Sequence, residues 1–435
     1  MERALYKDLL AWKADVRHKP LLLMGARQTG KTWLVEQFVA NEYAEHTTVN
    51  LLNDTDVVQL YDSLLNAQDK YLALKALVKK DFEGPDSVLF IDEIQESESL
   101  ISALKFFREK HPEVNIICSG SLLGVKLTRM RQSFPVGQIK TLPLYPMDIR
   151  EFMLAFGEDS LVEQIQSCFM SNEHLVVPLH NRALGYYALY LCVGGMPEAV
   201  QSLVDADRDL TRFDEGLVGS ITEAYFDDMN RYVFSKNESL KIERVYSSIP
   251  SQLANKANKF QYSKIIDSAR ARDYETALDW LKAAGLCLES RRAERPQMPL
   301  RGNERDGYFK LFMSDVGLLR NTLNIPFASL VLGAKFDYSD VIAENYVAQH
   351  LRAQGRDLHY WSSENVAEVD FLLQTGDGII PVEVKAGDNV RSKSLNIYRE
   401  KYEPAYAIRL SRKNFGRENG IRSVPLYAAF CLESV

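Results

Sequence analysis

The sequence predicts an α/β protein with three domains. Three observations lead to this prediction. An apolar run, a glycine-bearing turn and a helical pattern follow one another over residues 21–39, and an apolar strand at residues 87–93 ends in two acids. Residues 370–385 read as two strands joined by a glycine-rich turn, with acids and a lysine near the strand ends. In chain order, the predicted domains are residues 1–155, 156–320 and 321–435.

Composition and charge limit the class of protein. The 435 residues are 46% apolar and 26% charged, as in globular domains. No apolar run reaches the length of about 18 residues that spans a bilayer, and the N-terminus is amphipathic rather than a signal peptide, so we expect a cytoplasmic protein without a membrane partner. The net charge of −7 argues against a general nucleic-acid-coating protein but allows a local basic face. The five cysteines are scattered, which predicts buried thiols rather than disulfides or a zinc site.

The turn from Gly25 to Thr32 fits the phosphate-binding pattern G-x-x-x-x-G-K-[ST]. Its glycines let backbone N–H groups close around phosphate oxygens, Lys31 neutralises the β and γ charges of a nucleoside triphosphate, and the Thr32 hydroxyl can hold Mg²⁺. We therefore predict a P-loop that binds ATP and Mg²⁺, with Lys31 also acting in catalysis. The predicted nucleotide-binding set is Gly25, Ala26, Arg27, Gln28, Thr29, Gly30, Lys31, Thr32 and Trp33.

The strand pattern from Ser87 to Glu93 ends in two carboxylates with separate predicted roles. Asp92 is expected to bind in the Mg²⁺ shell, and Glu93 to take a proton from the attacking water. Two acids end many strands, but their position about 60 residues after the phosphate-binding turn favours ATP hydrolysis. A third strand pattern, Asn115 to Gly120, places Ser119 or Ser121 to touch the γ-phosphate or the lytic water, and we include Ser119 in the catalytic set. An ordinary serine at a strand end is the alternative.

Four segments, GARQTGKT, LFIDEIQ, CSGSLLG and GGMPEAV, resemble prokaryotic AAA-type ATP-binding proteins whose C-terminal half is a domain of unknown function. The resemblance covers essentially the whole chain and implies an AAA-type P-loop NTPase domain over residues 1–155. Members of that family commonly have Gly-Arg before the strand that follows the sensor, whereas this chain has Gly137-Gln138. The source of any arginine finger therefore stays open among Arg129, Arg131 and Arg150, and so does an oligomer that would supply one.

Residues 156–320 predict a connector that is first helical and then a winged helix. In chain order, the predicted elements are a helical region at Leu161–Val204 broken at Gly194–Pro197, helices at Leu240–Leu253, Gln261–Asp267 and Arg272–Ala284, and wing strands at Leu286–Glu289 and Tyr308–Phe312. The loop between the strands contains Arg291, Arg292, Arg295, Arg301 and Arg305. Such a hairpin can contact DNA phosphates. The third helix has few cations, however, so protein docking is the alternative.

The last domain contains a second group of candidate residues. Glu344 lies in a helix pattern, Asp370 opens a strand, and Glu383 and Lys385 follow at the end of the next strand. The turn at residues 376–378 folds these strands into a hairpin that brings Asp370 beside Glu383. Two carboxylates there can coordinate Mg²⁺ to activate water, while Lys385 stabilises charge on a phosphodiester. The arrangement resembles the PD-(D/E)xK core of restriction endonucleases, an α/β fold, with Glu344 as the helix acid. It predicts Asp370, Glu383 and Lys385 as catalytic residues and Glu344, Asp370 and Glu383 as metal ligands.

The function of the C-terminal half stays open between two classes. In the first, ATP turnover drives or licenses DNA cleavage. In the second, the nuclease-like fold is a silent module that binds DNA or a protein and is switched by ATP, or the protein remodels protein partners. Residues 388–417 are rich in cations with interleaved tyrosines, which suits a nucleic-acid surface and equally an ordinary solvated helix. These cations are Arg391, Lys393, Arg399, Lys401, Arg409, Arg412, Lys413 and Arg417.

Overall fold

The fold is described from a computed structural model of the chain. The described residues are 1–63, 66–78, 82–129, 137–233, 235–255, 259–332, 337–363, 367–387 and 393–435. Arg131, Arg391 and the side chain of Arg129 lie outside the described part. The chain forms two compact units, and each is described by itself. The first unit contains residues 2–145 and 283–285, and the second contains residues 146–282 and 286–435 together with residue 1.

The first unit alternates strands and helices, as the sequence predicts. In chain order, its elements are α1 (Tyr6–Ala14), β1 (Leu21–Met24), α2 (Lys31–Glu42), β2 (Glu45–Asn50), α3 (Thr55–Ser63), α4 (Ala67–Val78), β3 (Ser87–Asp92), a 3₁₀ turn (Ile94–Glu96), α5 (Glu98–Lys110), β4 (Asn115–Gly120), α6 (Leu123–Arg129) and β5 (Lys140–Pro143). The predicted strands β1 and β4 are confirmed. The second strand ends at Asn50, two residues before the predicted end at Leu52.

The five strands form one parallel sheet in the order β2-β3-β4-β1-β5. A parallel sheet needs apolar cover on both faces, and successive residues of a strand supply it alternately. Leu22 joins the core formed with α3, α4 and α5, whereas Leu21 and Leu23 join the core formed with α1 and α2. The carboxyl ends of β1, β2, β3 and β4 consequently meet at one edge of the sheet, where the predicted nucleotide-site residues lie.

The second unit is helical at first and becomes mixed α/β. In chain order, the elements from residue 146 onward are α7 (Ile149–Ala155), α8 (Asp159–Ser171), α9 (Val177–Val193), α10 (Pro197–Asp205), α11 (Gly216–Arg231), α12 (Lys236–Ala254), a 3₁₀ turn (Tyr262–Lys264), α13 (Ala271–Ala283), β6 (Cys287–Ala293), a 3₁₀ turn (Leu300–Asn303), β7 (Glu304–Met313), α14 (Val316–Thr322), α15 (Phe327–Val331), α16 (Ser339–Ala353), β8 (Leu358–Ser363), β9 (Ala367–Val369), β10 (Phe371–Thr375), β11 (Gly378–Val384), α17 (Lys393–Tyr402), β12 (Ala407–Ser411), β13 (Gly416–Glu418), β14 (Ile421–Pro425) and a closing 3₁₀ segment (Leu426–Ser434). None of the helices in the described part is both long enough and apolar enough to cross a membrane.

The predicted wing strands are present, but the hairpin is part of a larger sheet. β6 pairs with β7 in antiparallel orientation, as expected, and also pairs with β8 in parallel orientation. With β9 they form a four-stranded sheet in the order β7-β6-β8-β9. Residues 156–320 and 321–435, which we predicted as separate domains, therefore contribute strands to one sheet and lie in one compact unit.

The C-terminal sheet has the order β10-β11-β12-β14-β13. Its outer pairs are antiparallel, and its inner pairs, β11–β12 and β12–β14, are parallel. The helix α17 connects β11 to β12. The predicted β10–β11 hairpin is confirmed, with Phe371 opposite Val382. Asp370 lies one residue before β10 instead of opening the strand, so its side chain is not fixed by the strand pleat.

The GGMPEAV segment, which contains the predicted break at Gly194–Pro197, lies in a buried polar network. Gly194 ends α9 with a φ of +82°, and Pro197 begins α10. The Gly195 N–H donates to Asp315 Oδ2 at 2.7 Å, and the Gly195 carbonyl accepts from the Met147 N–H at 2.7 Å. A Cβ at Gly195 would lie 2.1 Å from the Met147 carbonyl oxygen, so glycine is required there.

Asp315 extends this network to two further helices. Its carboxylate accepts from the N–H groups of Gly317 and Leu318 at the start of α14, as an N-terminal cap does. Gln349 of α16 donates to Asp315 at 3.2 Å and to the Tyr190 hydroxyl at 2.8 Å. The segment therefore has a structural role, because it holds α9, α10, α14 and α16 at one buried point.

His350 is a second buried polar group on α16. Its Nε2 accepts from the Ile149 N–H at 2.9 Å, and its Nδ1 lies 2.8 Å from the Tyr346 carbonyl oxygen. Both contacts are made when the ring is neutral and carries its proton on Nδ1. Burial lowers the pKa of His350 to about 4.

We expect acid to weaken the second unit through this histidine. An unfolded histidine has a pKa of about 6.5, so the stabilisation is complete above that pH and is lost as the pH falls toward 4, amounting to about 3 kcal/mol. Urea unfolding at pH 7 and pH 4 should show this loss in the wild type and a smaller one in His350→Gln. The exposed His174→Gln variant serves as the control and should follow the wild type. Parallel losses in all three proteins would contradict the prediction.

Candidate functional site

The P-loop backbone has a shape that its sequence explains. Gly30 has a φ of +86° and caps the start of α2, and Gln28 has a φ of +65°. At residue 25 the chain runs against β5, because a Cβ there would lie 2.3 Å from the Leu144 carbonyl oxygen. Both glycines of the pattern therefore serve geometry: one allows a left-handed turn, and the other allows close backbone packing.

The loop encloses a cation and presents N–H groups. The Lys31 ammonium donates to the carbonyl oxygens of Ala26 at 2.7 Å and Gly25 at 3.1 Å. Within the described residues, the N–H groups of Gln28 and Gly30 donate to no protein acceptor. Donors and a cation at a helix N-terminus form a set that suits phosphate oxygens.

The other predicted members of the loop divide into buried and exposed residues. Ala26 and Thr29 are buried, and the Thr29 hydroxyl donates to the Ala26 carbonyl at 2.9 Å, which stabilises the turn from within. Arg27 and Trp33 are exposed, and the Trp33 side chain is 43% accessible. These two side chains therefore lie at the surface of the loop and not in its interior.

Asp92, at the end of β3, accepts from three side chains. Thr32 Oγ1 donates to its Oδ2 at 3.0 Å, and Asn50 Nδ2 donates to the same oxygen at 3.2 Å. Ser119 Oγ donates to the other oxygen, Oδ1. The structure thus brings the predicted metal ligands Thr32 and Asp92 together, and it places Ser119 against the Asp92 carboxylate. A hydroxyl and a carboxylate beside a phosphate loop form a donor set that fits Mg²⁺.

Glu93 points to a separate group of side chains. Its backbone is left-handed, with a φ of +54°, which turns the chain sharply after β3. Gln95 Nε2 donates to Glu93 Oε2 at 2.5 Å, and Ser121 Oγ lies 3.4 Å from the same oxygen. Gly120 leaves room for this arrangement, since a Cβ there would lie 2.2 Å from Gln95 Oε1. Glu93 is therefore held at the strand edge while it remains partly exposed.

Sequence reasoning missed three residues of this site. Asn50 was unremarkable because the sequence does not give the strand order that places it beside Asp92. Gln95 ends LFIDEIQ, one of the segments that carry the family resemblance. Its hydrogen bond to Glu93 forms only because the chain turns at Glu93. Arg3 is buried and donates to the Thr29 carbonyl at 2.8 Å and the Tyr145 carbonyl at 2.7 Å, so it supports the loop from behind. Two hydrogen bonds from one guanidinium would not be predicted from a lone arginine near the start of a helix.

The second candidate site lies at the β10–β11 hairpin. The Val384 N–H donates to Asp370 Oδ2 at 2.7 Å, and the Lys385 ammonium lies 2.6 Å from Glu383 Oε1. The other oxygen of Glu383, Oε2, is buried without a hydrogen-bond partner. The structure therefore brings Asp370, Glu383 and Lys385 together, as the hairpin predicts.

A buried lysine that the sequence analysis did not single out lies among these acids. Lys310, on β7, forms an ion pair with Glu368 and lies 3.8 Å from Glu344 Oε2. Burial alone would lower the pKa of Lys310, but the carboxylates of Glu344, Glu368 and Asp370 raise it, so the ammonium is charged. A single charge within the otherwise apolar sequence FKLFM is a signal that could have identified it.

The acids of this group outnumber its lysines. Burial raises the pKa of Asp370 well above its ordinary range, and the neighbouring charges of Glu344 and Glu383 raise it further. Burial also raises the pKa of Glu344. We refer to Glu344, Glu368, Asp370, Glu383, Lys310 and Lys385 as the acid–lysine cluster.

The carboxylates of the acid–lysine cluster are not gathered around one point. In the described part of the chain, no group of three or more His, Cys, Asp or Glu side chains is arranged to hold a metal ion. The predicted ligands Glu344 and Asp370 instead interact with the Lys310 ammonium, whose pKa their charges raise.

Several arginines that were predicted to contact a ligand have carboxylate partners. Arg291 lies 2.7 Å from Glu304, and Arg301 lies 2.6 Å from Asp357. Arg150, the arginine-finger candidate whose side chain is described, lies 3.5 Å from Asp148 within the second unit. The ion pairs of Arg291 and Arg301 reduce the positive charge that the β6–β7 hairpin offers to a phosphate.

Comparison with known proteins matches three separate segments of the chain, whose limits lie near the predicted domain boundaries. Residues 17–153 match the AAA domain family model, which confirms the AAA-type P-loop fold of the N-terminal region. Residues 185–329 and 340–429 match two models described as domains of unknown function, DUF8612 and DUF4143. The likeness of the last domain to restriction endonucleases therefore stays a prediction. No curated protein matched the chain significantly.

Three solved structures illustrate the similarity. The Walker-type ATPase PABY2304 of Pyrococcus abyssi is 16% identical, with a TM-score of 0.46, over 74% of this chain and 94% of that one. The ORC2 protein of Aeropyrum pernix, in ADPNP–ADP complexes, is 15% identical, with a TM-score of 0.36, over 78% and 92%. The RuvB Holliday junction branch migration motor of Thermotoga maritima is 15% identical, with a TM-score of 0.31, over 68% and 90%.

Proposed function

We propose that the first unit binds ATP with Mg²⁺ and hydrolyses it. The observation that carries this proposal is the hydrogen bond between Thr32 and Asp92, which joins the P-loop to the acidic end of β3 at 3.0 Å. Thr32 and Asp92 would hold Mg²⁺, which neutralises charge on the β and γ phosphates when it is bound. Lys31 exchanges its two carbonyl acceptors for phosphate oxygens and adds a positive charge beside them.

Glu93 is the proposed base for the attacking water. As the water oxygen bonds to the γ-phosphorus, the bond from that phosphorus to the ADP oxygen breaks and Glu93 takes the water proton. Gln95 and Ser121 hold the Glu93 carboxylate, and Ser119 holds Asp92, so all three act as positioning residues. Glu93, the proposed base, and Asp92, which would hold Mg²⁺, are thereby held by different partners.

We expect Lys31→Ala to abolish ATP binding. Charge-assisted hydrogen bonds contribute about 1.5–3 kcal/mol each, so the loss of two phosphate contacts should weaken affinity by about 100-fold or more. Calorimetric titration of ATP in the presence of Mg²⁺ measures this directly. Lys19→Ala, an exposed lysine before β1, is the matched control and should bind as the wild type does. An ATP affinity in Lys31→Ala equal to that of the control would disprove the proposed role.

Glu93→Gln should retain binding and block turnover. The amide keeps the size and hydrogen bonding of the side chain but cannot accept the proton, so the rate of phosphate release should fall by about 10²–10⁴-fold. ATP affinity should stay within error of the wild-type value. Glu98→Gln, an exposed glutamate in the first turn of α5, provides the control. Undiminished phosphate release in Glu93→Gln would show that another group is the base.

We further propose that the second unit acts on DNA and that the nucleotide bound to the first unit controls this action. In this proposal the protein is cytoplasmic, and the second unit contains winged-helix elements followed by a nuclease-like module. The convergence of Asp370, Glu383 and Lys385 at one hairpin supports this proposal. The competing proposal is a catalytically silent module switched by ATP, or a remodeller of protein partners. It is supported by Lys310, since this ammonium already neutralises part of the acid–lysine cluster.

Cleavage assays with a carboxylate variant distinguish these proposals. Plasmid and single-stranded DNA incubated with ATP and Mg²⁺ or Mn²⁺ should be cut by the wild type and left intact by Asp370→Asn. Asp377→Asn, an exposed aspartate in the turn of the same hairpin, should cut as the wild type does. Absence of cleavage by the wild type under all these conditions would support the silent module, and equal cleavage by Asp370→Asn would exclude Asp370 from the reaction. ATPase rates measured with and without DNA show whether the two activities are coupled.

A further inference from the structure

Three cations from separate parts of the second unit surround one tyrosine. The ammonium of Lys259 lies 4.1 Å from the centroid of the Tyr308 ring, the guanidinium carbon of Arg305 lies 4.2 Å from it, and that of Arg292 lies 5.3 Å from it. All four side chains are partly exposed. We call Lys259, Arg292, Arg305 and Tyr308 the Tyr308 cluster.

The fold fixes the positions of these cations. The Phe260 N–H donates to the Phe309 carbonyl at 2.7 Å, which ties the residue after Lys259 to the residue after Tyr308. Arg292 extends from β6, the strand that pairs with β7, and its guanidinium donates to the Ser362 carbonyl at 2.7 Å. The cluster is therefore built from three separate segments and is not an accidental run of basic residues.

The positive charge of the Tyr308 cluster is poorly compensated. In the described part of the chain, Lys259 has no carboxylate within ion-pair distance. Arg305 lies 3.9 Å from Glu294, a pair that is largely exposed to solvent, and Arg292 is bonded to a neutral carbonyl while its Nε is buried without an acceptor. Exposed cation–π contacts provide only about 0.5–1 kcal/mol each. The like charges repel one another, and an anion would remove that repulsion.

The same face of the sheet leads from these cations to the acid–lysine cluster. Tyr308 and Lys310 are two residues apart on β7, so their side chains lie on one face. Tyr360 of β8 lies between the two groups, since it is opposite Arg292 in the β6–β8 register and the Lys310 ammonium is 5.2 Å from its ring. A ligand bound at the cations therefore lies on the face that contains the acids.

We infer that the Tyr308 cluster binds the phosphodiester backbone of a nucleic acid, which then runs toward the partly exposed carboxylates of the acid–lysine cluster. This inference rests on the proposed action of the second unit on DNA. Partly exposed cations drawn from three segments suit an extended chain better than a small enclosed anion. The acid–lysine cluster has an excess of negative charge, so a phosphate chain reaching it must be held by cations elsewhere, and the Tyr308 cluster supplies them.

The test compares the nucleic-acid affinity of a variant that loses charges of the Tyr308 cluster with that of a variant that loses a charge outside it. All proteins contain Asp370→Asn, so that the oligonucleotide stays intact, and fluorescence anisotropy is measured with a short single strand and with its duplex. Lys259→Ala/Arg305→Ala removes two charges of the cluster. The control is Arg301→Ala, which removes an exposed arginine paired with Asp357 outside the cluster. Tyr308→Leu keeps every charge and removes the ring that gathers them.

We expect the double variant to bind about tenfold or more weakly at about 0.1 M salt, because two phosphate contacts are lost. The plot of log affinity against log salt, between about 50 and 200 mM, should become shallower by about 1.4 for the single strand. Tyr308→Leu should also weaken binding, whereas Arg301→Ala should match its parent protein. ATPase rates and melting temperatures of all variants should stay at the parent values, which shows that the unit is folded.

Three outcomes would overturn the inference. Equal affinities for the double variant and Arg301→Ala would show that the nucleic acid binds elsewhere, and the proposed nuclease-like function would survive. An affinity for inorganic phosphate that accounts for all binding, with no gain from the oligonucleotide, would show that the ligand is not a chain. Absence of any binding by the parent protein would overturn both this inference and the proposed action on DNA, while the ATPase proposal would be judged by its own variants.

Discussion

The Asp92 carboxylate is the contact on which the geometry of the first unit depends. It accepts from residues on three different elements: Thr32 at the start of α2, Asn50 at the end of β2 and Ser119 at the end of β4. These elements meet only because the strands are parallel and lie in the order β2-β3-β4-β1. The three donors can therefore reach Asp92 only if the strands keep this order and the P-loop keeps its position. Three donors that share one buried, charged acceptor also make the arrangement costly to distort.

The two candidate sites differ in their electrostatics. In the first unit, one buried carboxylate is surrounded by neutral donors, with the Lys31 ammonium close by in the loop. In the second unit, four carboxylates face two ammonium groups. Burial raises the pKa of Asp370, and the neighbouring charges of Glu344 and Glu383 raise it further. The first arrangement is complementary to an anionic ligand. The second repels one unless cations beyond the acids take part, and the sheet that contains Lys310 also contains such cations.

Much of the first unit could be predicted because its signals are local. Short apolar strands ending in glycine, acid or serine identify β1, β3 and β4, and their side chains meet at one edge in any parallel sheet of this kind. The β10–β11 hairpin was predictable for the same reason, since a local turn joins its strands and brings Asp370 close to Glu383.

The parts that could not be predicted depend on contacts between distant segments. Asn50 reaches Asp92 because β2 lies beside β3, and Arg3 contacts the P-loop at the Thr29 carbonyl. No local sequence pattern encodes either contact. Lys310 and Glu368 approach each other only because β6 pairs with β8, a pairing that the sequence does not indicate. The same pairing explains why a free wing was expected: the hairpin signals are correct, but they do not show that a later strand extends the sheet.

The parallel pairing of β6 with β8 has a consequence for how this chain can be divided. A polypeptide ending near residue 320 would retain β6 and β7 but lose β8, leaving the β6 edge with unpaired N–H and C=O groups open to adventitious strand addition. A polypeptide beginning there would lose Lys310, the counter-ion of Glu344 and Glu368. A cut anywhere between β6 and β8 therefore breaks the same sheet, whichever portion of the chain is kept.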